Sequence, residues 1–131
     1  MATSGSEARA EVSAVPLNMR ARIANGVANV AISGGLDLSN AARLEAVLRE
    51  VERVDEVELI WLEMRGLEFI DSAGVSVLCD AIDRARRDSD RLRLTGTPSS
   101  AVRRLLELAG IDEQLPTEWR DGAAITAAQP T

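Results

Sequence analysis

The sequence predicts an α/β fold: one domain with a mixed, partly parallel sheet of about four to five strands packed against three to four helices. Three observations carry this. Asn25-Gly26 separates two strand-like stretches, and that dipeptide marks a tight hairpin because both central residues of the turn need φ > 0. Residues 57–64 and 91–96 read as further short strands. Helical patterns lie between and after them, and strands alternating with helices favour parallel pairing.

The elements follow in order. Residues 1–15, rich in Ala, Ser and Glu, read as a disordered tail. After the hairpin turn a strand runs from Val27 to Ser33 and is expected to stop at Gly34-Gly35. Ser39 is placed to cap a helix over about 40–53, where Leu44, Val47, Leu48, Val51 and Val54 make one apolar stripe. Glu45 and Arg49 pair at i,i+4 on its wet side. The nearly continuous apolar run 57–64, VELIWLEM, predicts a strand buried on both faces.

A helix over about 73–87 follows, with Val75, Leu78, Cys79 and Ile82 inward and Ser76, Asp80, Asp83, Arg84 and Arg87 outward. The stretch 91–96 is a short strand. Residues 97–110 form a helix capped by Ser99 or Ser100, with Val102, Leu105, Leu106 and Ala109 inward and Gly110 as its stop. A short strand at 114–119 and a helical turn over 122–128 complete the expectation, and residues 126–131 form a C-terminal tail.

Composition narrows the function classes. The chain has 131 residues, 46% of them hydrophobic, which suits one domain. Only Phe69, Trp61 and Trp119 are aromatic, so the core is aliphatic. There is no lysine, all 15 basic residues are arginine, and the net charge is −6. Such a chain lacks the basic, aromatic-studded face of a nucleic-acid binder. Arginine-only usage points to a high-GC bacterial genome. Cys79 is the single cysteine, which excludes an internal disulfide and predicts a buried, inert thiol. No apolar stretch reaches the about 18 residues of a membrane span, and no signal-peptide h-region opens the chain. The expected protein is cytoplasmic and a monomer, with a homodimer as the alternative.

The informative stretch is LEFIDSAGVSVLCDAI, residues 67–82. It places Asp71-Ser72 where an apolar run gives way to a helix. A nucleophilic serine needs a base, and the chain has neither histidine nor lysine, so catalysis is disfavoured. A small-molecule site meets the same objection, since aromatics are scarce. A helix N-cap is the favoured reading from the residues alone, and Asp71 serves as well as Ser72. A phosphoacceptor is the third reading: a helix N-terminus tolerates a phosphate, which adds about −1.5 to −2 charges.

Residues 57–74, ending in FIDSAG, resemble the STAS domain of bacterial anti-sigma factor antagonists. ISGGLDLSNAARLEAVL and TGTPSSAVRRLLELAGIDEQLP resemble the family's first strand–helix unit and its final strand and helix. The resemblance covers about residues 19–125. It implies that Ser72 matches the serine phosphorylated by the anti-sigma factor, itself a kinase. Unphosphorylated protein would bind that kinase and free its sigma factor. Phosphorylation would end the complex, and a phosphatase would reset the serine. ATP and Mg²⁺ would belong to the kinase, and this chain would be neither an enzyme nor a holder of a cofactor or metal.

The implied partner surface comprises Asp37, Asp71, Ser72, Gly74, Ser76, Asp80 and Asp83, with Arg84 on the same helix face. Asp37 matches an aspartate of the family's docking surface; on the residues alone the alternative is a loop cap beside Ser39. Two positions depart from the family pattern: Gly35 stands where glutamate is usual, and Glu63 where aspartate is common. They bear on partner identity and on how readily Ser72 is phosphorylated. The alternative within the fold is a non-switching STAS scaffold or an accessory subunit of a transporter or signalling complex.

Overall fold

The computed structural model describes residues 16–111. Strand β1 (Leu17–Ala24) turns at Asn25-Gly26 into β2 (Val27–Leu36), antiparallel to it. Both turn residues take positive φ, 54° and 79°, the geometry that Asn-Gly favours. Helix α1 (Ala41–Glu52) leads to β3 (Leu59–Ile70), helix α2 (Ser72–Arg87) to β4 (Leu92–Thr95), and the last helix described is α3 (Ser100–Leu108). The sheet order is β1-β2-β3-β4, with β2–β3 and β3–β4 parallel. Each parallel pair is thus joined by a helical crossover, as such pairing requires.

One aliphatic core holds these layers together. Val30, Ile32, Leu62, Met64 and Leu67 of the sheet meet Leu44 and Leu48 of α1, Leu78 and Ile82 of α2, and Val102 and Leu106 of α3. Removing such side chains from water contributes about 1.5–3 kcal/mol each, so this cluster dominates the stability of the domain.

Several expectations change in detail. β2 does not stop at Gly34-Gly35 but runs through it to Leu36, with register shifts at Ala31/Ser33 and Gly34/Gly35. Gly34 has φ 90°, and a Cβ there would stand 1.9 Å from the Pro16 carbonyl oxygen. The glycines let the strand bend around Pro16 without ending. β3 extends six residues past the apolar run that announced it, and it alternates rather than being buried on both faces. Ile60, Leu62 and Met64 are buried, while Leu59, Trp61 and Glu63 are half-buried. Apolar composition does not distinguish two covered faces from one.

Ser39 does not cap α1. Its hydroxyl donates to Asp37 Oδ1 at 2.6 Å, and Asn40 takes the N-cap position. In α2 the inward residues are Gly74, Val77, Leu78, Ala81, Ile82 and Ala85. Val75 and Cys79 are only half-buried against the core. In α3, Ser99 is the cap, accepting from the Val102 N–H at 3.2 Å, and Leu105 and Ala109 are exposed. The tails and the elements expected at 114–119 and 122–128 lie outside the described residues.

Candidate functional site

The C-terminal ends of β2 and β3 lie side by side, Leu36 pairing with Ile70. Each strand turns there into its following helix. In an open α/β sheet, this edge collects functional groups because loops and helix N-termini converge on it. Asp71 is the N-cap of α2. Its Oδ1 accepts from the Gly74 N–H at 3.0 Å, and its carbonyl oxygen accepts from the Val75 N–H at 2.9 Å. Its other carboxylate oxygen reaches across the edge and accepts from the Leu38 N–H at 3.1 Å. One side chain thus caps α2 and ties the β2–α1 loop to it.

This arrangement decides the division of labour at Asp71-Ser72. The cap is Asp71, so Ser72 is the first helical residue. Ser72 is exposed, and its hydroxyl makes no hydrogen bond among the described residues. Among the described residues nothing engages that oxygen, which lies one residue from a carboxylate and at the positive end of the α2 dipole.

Gly74 lies directly beneath and is buried. A Cβ there would stand 2.7 Å from Ile70 Cγ1, and 2.8 Å from both Leu36 Cγ and the Leu36 carbonyl oxygen. The backbone that approaches Gly74 closely is this chain's own β2, and the glycine seats α2 against the strand ends.

Asp37 is half-buried in the β2–α1 loop. Its Oδ1 accepts from the Ser39 N–H at 2.9 Å and from the Ser39 hydroxyl. The Asn40 side chain completes the turn, its Oδ1 accepting from the Asp37 N–H and its Nδ2 donating to the Gly35 carbonyl, both at 2.9 Å. Asp37, Asp71 and Ser72 are thus brought to one corner. Ser76, Asp80 and Asp83 are exposed and continue from Ser72 along one line of α2, as spacings of four and three place residues on one helix face.

Arg84 is not available to that face. Its Nε and Nη2 donate to the two Glu52 carboxylate oxygens of α1 at 3.0 Å each, and Glu45 lies 3.9 Å away. The hydrogen bond to Glu52 raises the Arg84 pKa further, more than burial lowers it. Arg84 is a strut between helices.

Of the two departures, Gly35 is buried, donates to the Pro16 carbonyl and accepts from Asn40. Glu63 sits within the sheet, where its Oε2 accepts from the Arg65 N–H at 2.9 Å. Cys79 is half-buried, not fully buried. Burial, then Asp83 and Asp80, push its thiol pKa up, which keeps it protonated and unreactive at neutral pH.

Sequence reasoning overlooked two exposed apolar side chains at this corner. Leu38 is 81% exposed, and Phe69, two residues before Asp71, is 47% exposed. The available signal was a leucine within the polar turn 37–40, DLSN. Among the described residues no group of three or more His, Cys, Asp or Glu side chains is placed to hold a metal ion. No helix there is long and apolar enough to cross a membrane.

A family model of the STAS domain matches residues 18–120. The chain belongs to the STAS family. Among solved structures, the STAS chain resembles an anti-sigma factor antagonist from Mycobacterium paratuberculosis, with TM-score 0.59, 22% identity, and 77% of this chain and 84% of the other covered. It resembles the Bacillus cell fate determinant SpoIIAA in its phosphorylated form, with TM-score 0.64, 17% identity, and coverages of 85% and 95%. It also resembles a sulfate transporter family protein from Wolinella succinogenes, with TM-score 0.59, 26% identity, and coverages of 74% and 77%. No curated protein matches significantly in sequence. These likenesses establish the fold, which antagonists and transporters share.

Proposed function

We propose that this STAS protein is an anti-sigma factor antagonist that works by partner switching. Its unphosphorylated form binds an anti-sigma factor serine kinase and displaces the sigma factor; phosphorylation of Ser72 ends the complex. The observation that carries this reading is the free hydroxyl of Ser72, exposed at a helix mouth whose capping is already done by Asp71. A serine needed for the cap would have its oxygen engaged. The kinase brings ATP and Mg²⁺, and this chain brings only the acceptor. As the Ser72 Oγ–P bond forms, the bond from the γ-phosphorus to the bridging oxygen breaks and ADP departs. The hydroxyl proton passes to a base of the kinase. A phosphatase later transfers the phosphoryl group to water, restoring the serine and releasing inorganic phosphate. The cycle takes place in the cytoplasm.

Electrostatics explains why the product dissociates. The phosphoryl group adds about −1.5 to −2 charges beside Asp71 and on the line of Asp80 and Asp83. A partner surface fitted closely to a neutral hydroxyl must then admit a bulkier dianion beside a carboxylate it already accommodates, and the like charges and lost fit are costly. The test is mass spectrometry of the protein isolated from its host, and of purified protein incubated with host lysate and ATP, with Ser72→Ala as control. Phosphate confined to Ser72 is expected. Its absence under both conditions, with the fold intact, would overturn the reading.

The likeness to a transporter-family STAS domain supports a second reading, a scaffold or accessory module that holds its partner by shape. Such a module would bind equally well as Ser72→Asp and Ser72→Ala, whereas the switch survives only the second change.

A further inference from the structure

Resting on the partner-switching reading, we propose that Leu38 is the apolar anchor of the docking surface, inserting into an apolar pocket rimmed by basic groups on the anti-sigma factor. Leu38 is 81% exposed, more than Ile23, Phe69, Leu105 or Leu108, the other large apolar residues left in water among those described. Its backbone is also held in place. Its N–H donates to Asp71 Oδ2, and the Asp37, Ser39 and Asn40 bonds fix the loop on both sides. An exposed apolar side chain on a loop whose backbone is already ordered adds little backbone-ordering cost on binding, which suits an energetic anchor.

The surroundings define the pocket that fits it. Asp37 and Asp71 flank the leucine, Ser72 follows Asp71, and Asp80 and Asp83 continue the acidic line of α2. Phe69 adds apolar area two residues before Asp71. The complementary surface is therefore apolar at its centre and positively charged around it. The anchor and the phosphoacceptor meet through one carboxylate, since Asp71 caps the helix that starts at Ser72 and clamps Leu38. A phosphoryl group on Ser72 adds its bulk and charge beside the Asp71 carboxylate, next to the anchor, where a pocket fitted to the hydroxyl has no room for it.

The experiment uses the full chain against each serine-kinase anti-sigma factor encoded by the host, purified with ADP, and measures affinity by biolayer interferometry. Baits are the wild type, Leu38→Ala, Leu38→Met, Ser72→Asp and Leu108→Ala, each checked for native circular dichroism. Leu38→Ala is expected to weaken binding by about tenfold or more, while Leu38→Met stays within about threefold. Leu108→Ala removes a similarly exposed leucine, 74% exposed, at the end of α3 and leaves binding unchanged. If Ser72→Asp abolishes binding but Leu38→Ala matches the wild type, the anchor is overturned and the switch stands. Equal losses from Leu38→Ala and Leu108→Ala would also overturn the anchor. If no kinase binds the wild type, the switch reading falls and the anchor falls with it.

Discussion

Removing the Asp71 side chain tests the division of labour at the helix mouth. Asp71→Ala deletes the cap bond to the Gly74 N–H at 3.0 Å and the tether to the Leu38 N–H at 3.1 Å. Loss of an N-cap costs about 1 kcal/mol. Loss of a hydrogen bond of ordinary strength costs about 0.5–1.5 kcal/mol. The expected destabilisation is about 2 kcal/mol, or roughly 8 °C in Tm for a domain of this size. Asp71→Asn keeps a good capping group and should cost less than about 1 kcal/mol. Ser72→Ala removes a hydroxyl that bonds nothing described and should shift stability by no more than about 0.5 kcal/mol. Urea unfolding followed by circular dichroism reads all three, with an unchanged m-value showing that the unfolded reference is the same. If Ser72→Ala costs as much as Asp71→Ala, Ser72 is a cap and the case for a free acceptor collapses.

Two further outcomes follow from the same region. Gly74→Ala gains about 1 kcal/mol of helix propensity, but its Cβ would lie 2.8 Å from a backbone oxygen that cannot yield like a flexible side chain. Overpacking costs about 1–3 kcal/mol, so a net loss of stability is expected, read as a fall in Tm; a rise would show that α2 can move away from Leu36 freely. For Cys79, the folded thiol has a raised pKa, chiefly from burial. Its neutral form is favoured by folding, so this contribution to stability is intact below the unfolded thiol pKa and is lost as pH rises through the folded one. Iodoacetamide should label the native protein slowly at neutral pH and faster only above the ordinary thiol range. Labelling at neutral pH as fast as in the urea-unfolded chain would show that the thiol is not protected.

The parts of this protein that the sequence alone determined are those governed by neighbours in the chain. Asn25-Gly26 specifies its turn because few other residue pairs accept two positive φ values. The apolar stripe through Leu44, Leu48 and Val51 specifies α1 because helical geometry repeats every 3.6 residues. The Asp71-Ser72-Ala73-Gly74 stretch marked the start of α2 for a similar reason, since a strand end followed by a capping residue is a local pattern. Tertiary structure decided the rest, and in each case the deciding partner is remote in sequence. Leu38 and Asp71 are 33 residues apart, and their hydrogen bond is what makes the carboxylate both clamp and cap. Arg84 read as an outward charge until Glu52, 32 residues earlier, turned it into a strut. The apolar run of β3 was compatible with two covered faces or one, and only the placement of the helices on a single core chose between them. Gly74 entered the sequence reading only as part of the implied partner surface, whereas the reason no larger residue fits there is the packing of Ile70 and of Leu36 on another strand. Hydrogen bonds and steric contacts act over a few ångströms, whatever the separation along the chain, so only the folded arrangement could assign the cap to Asp71 and leave Ser72 free.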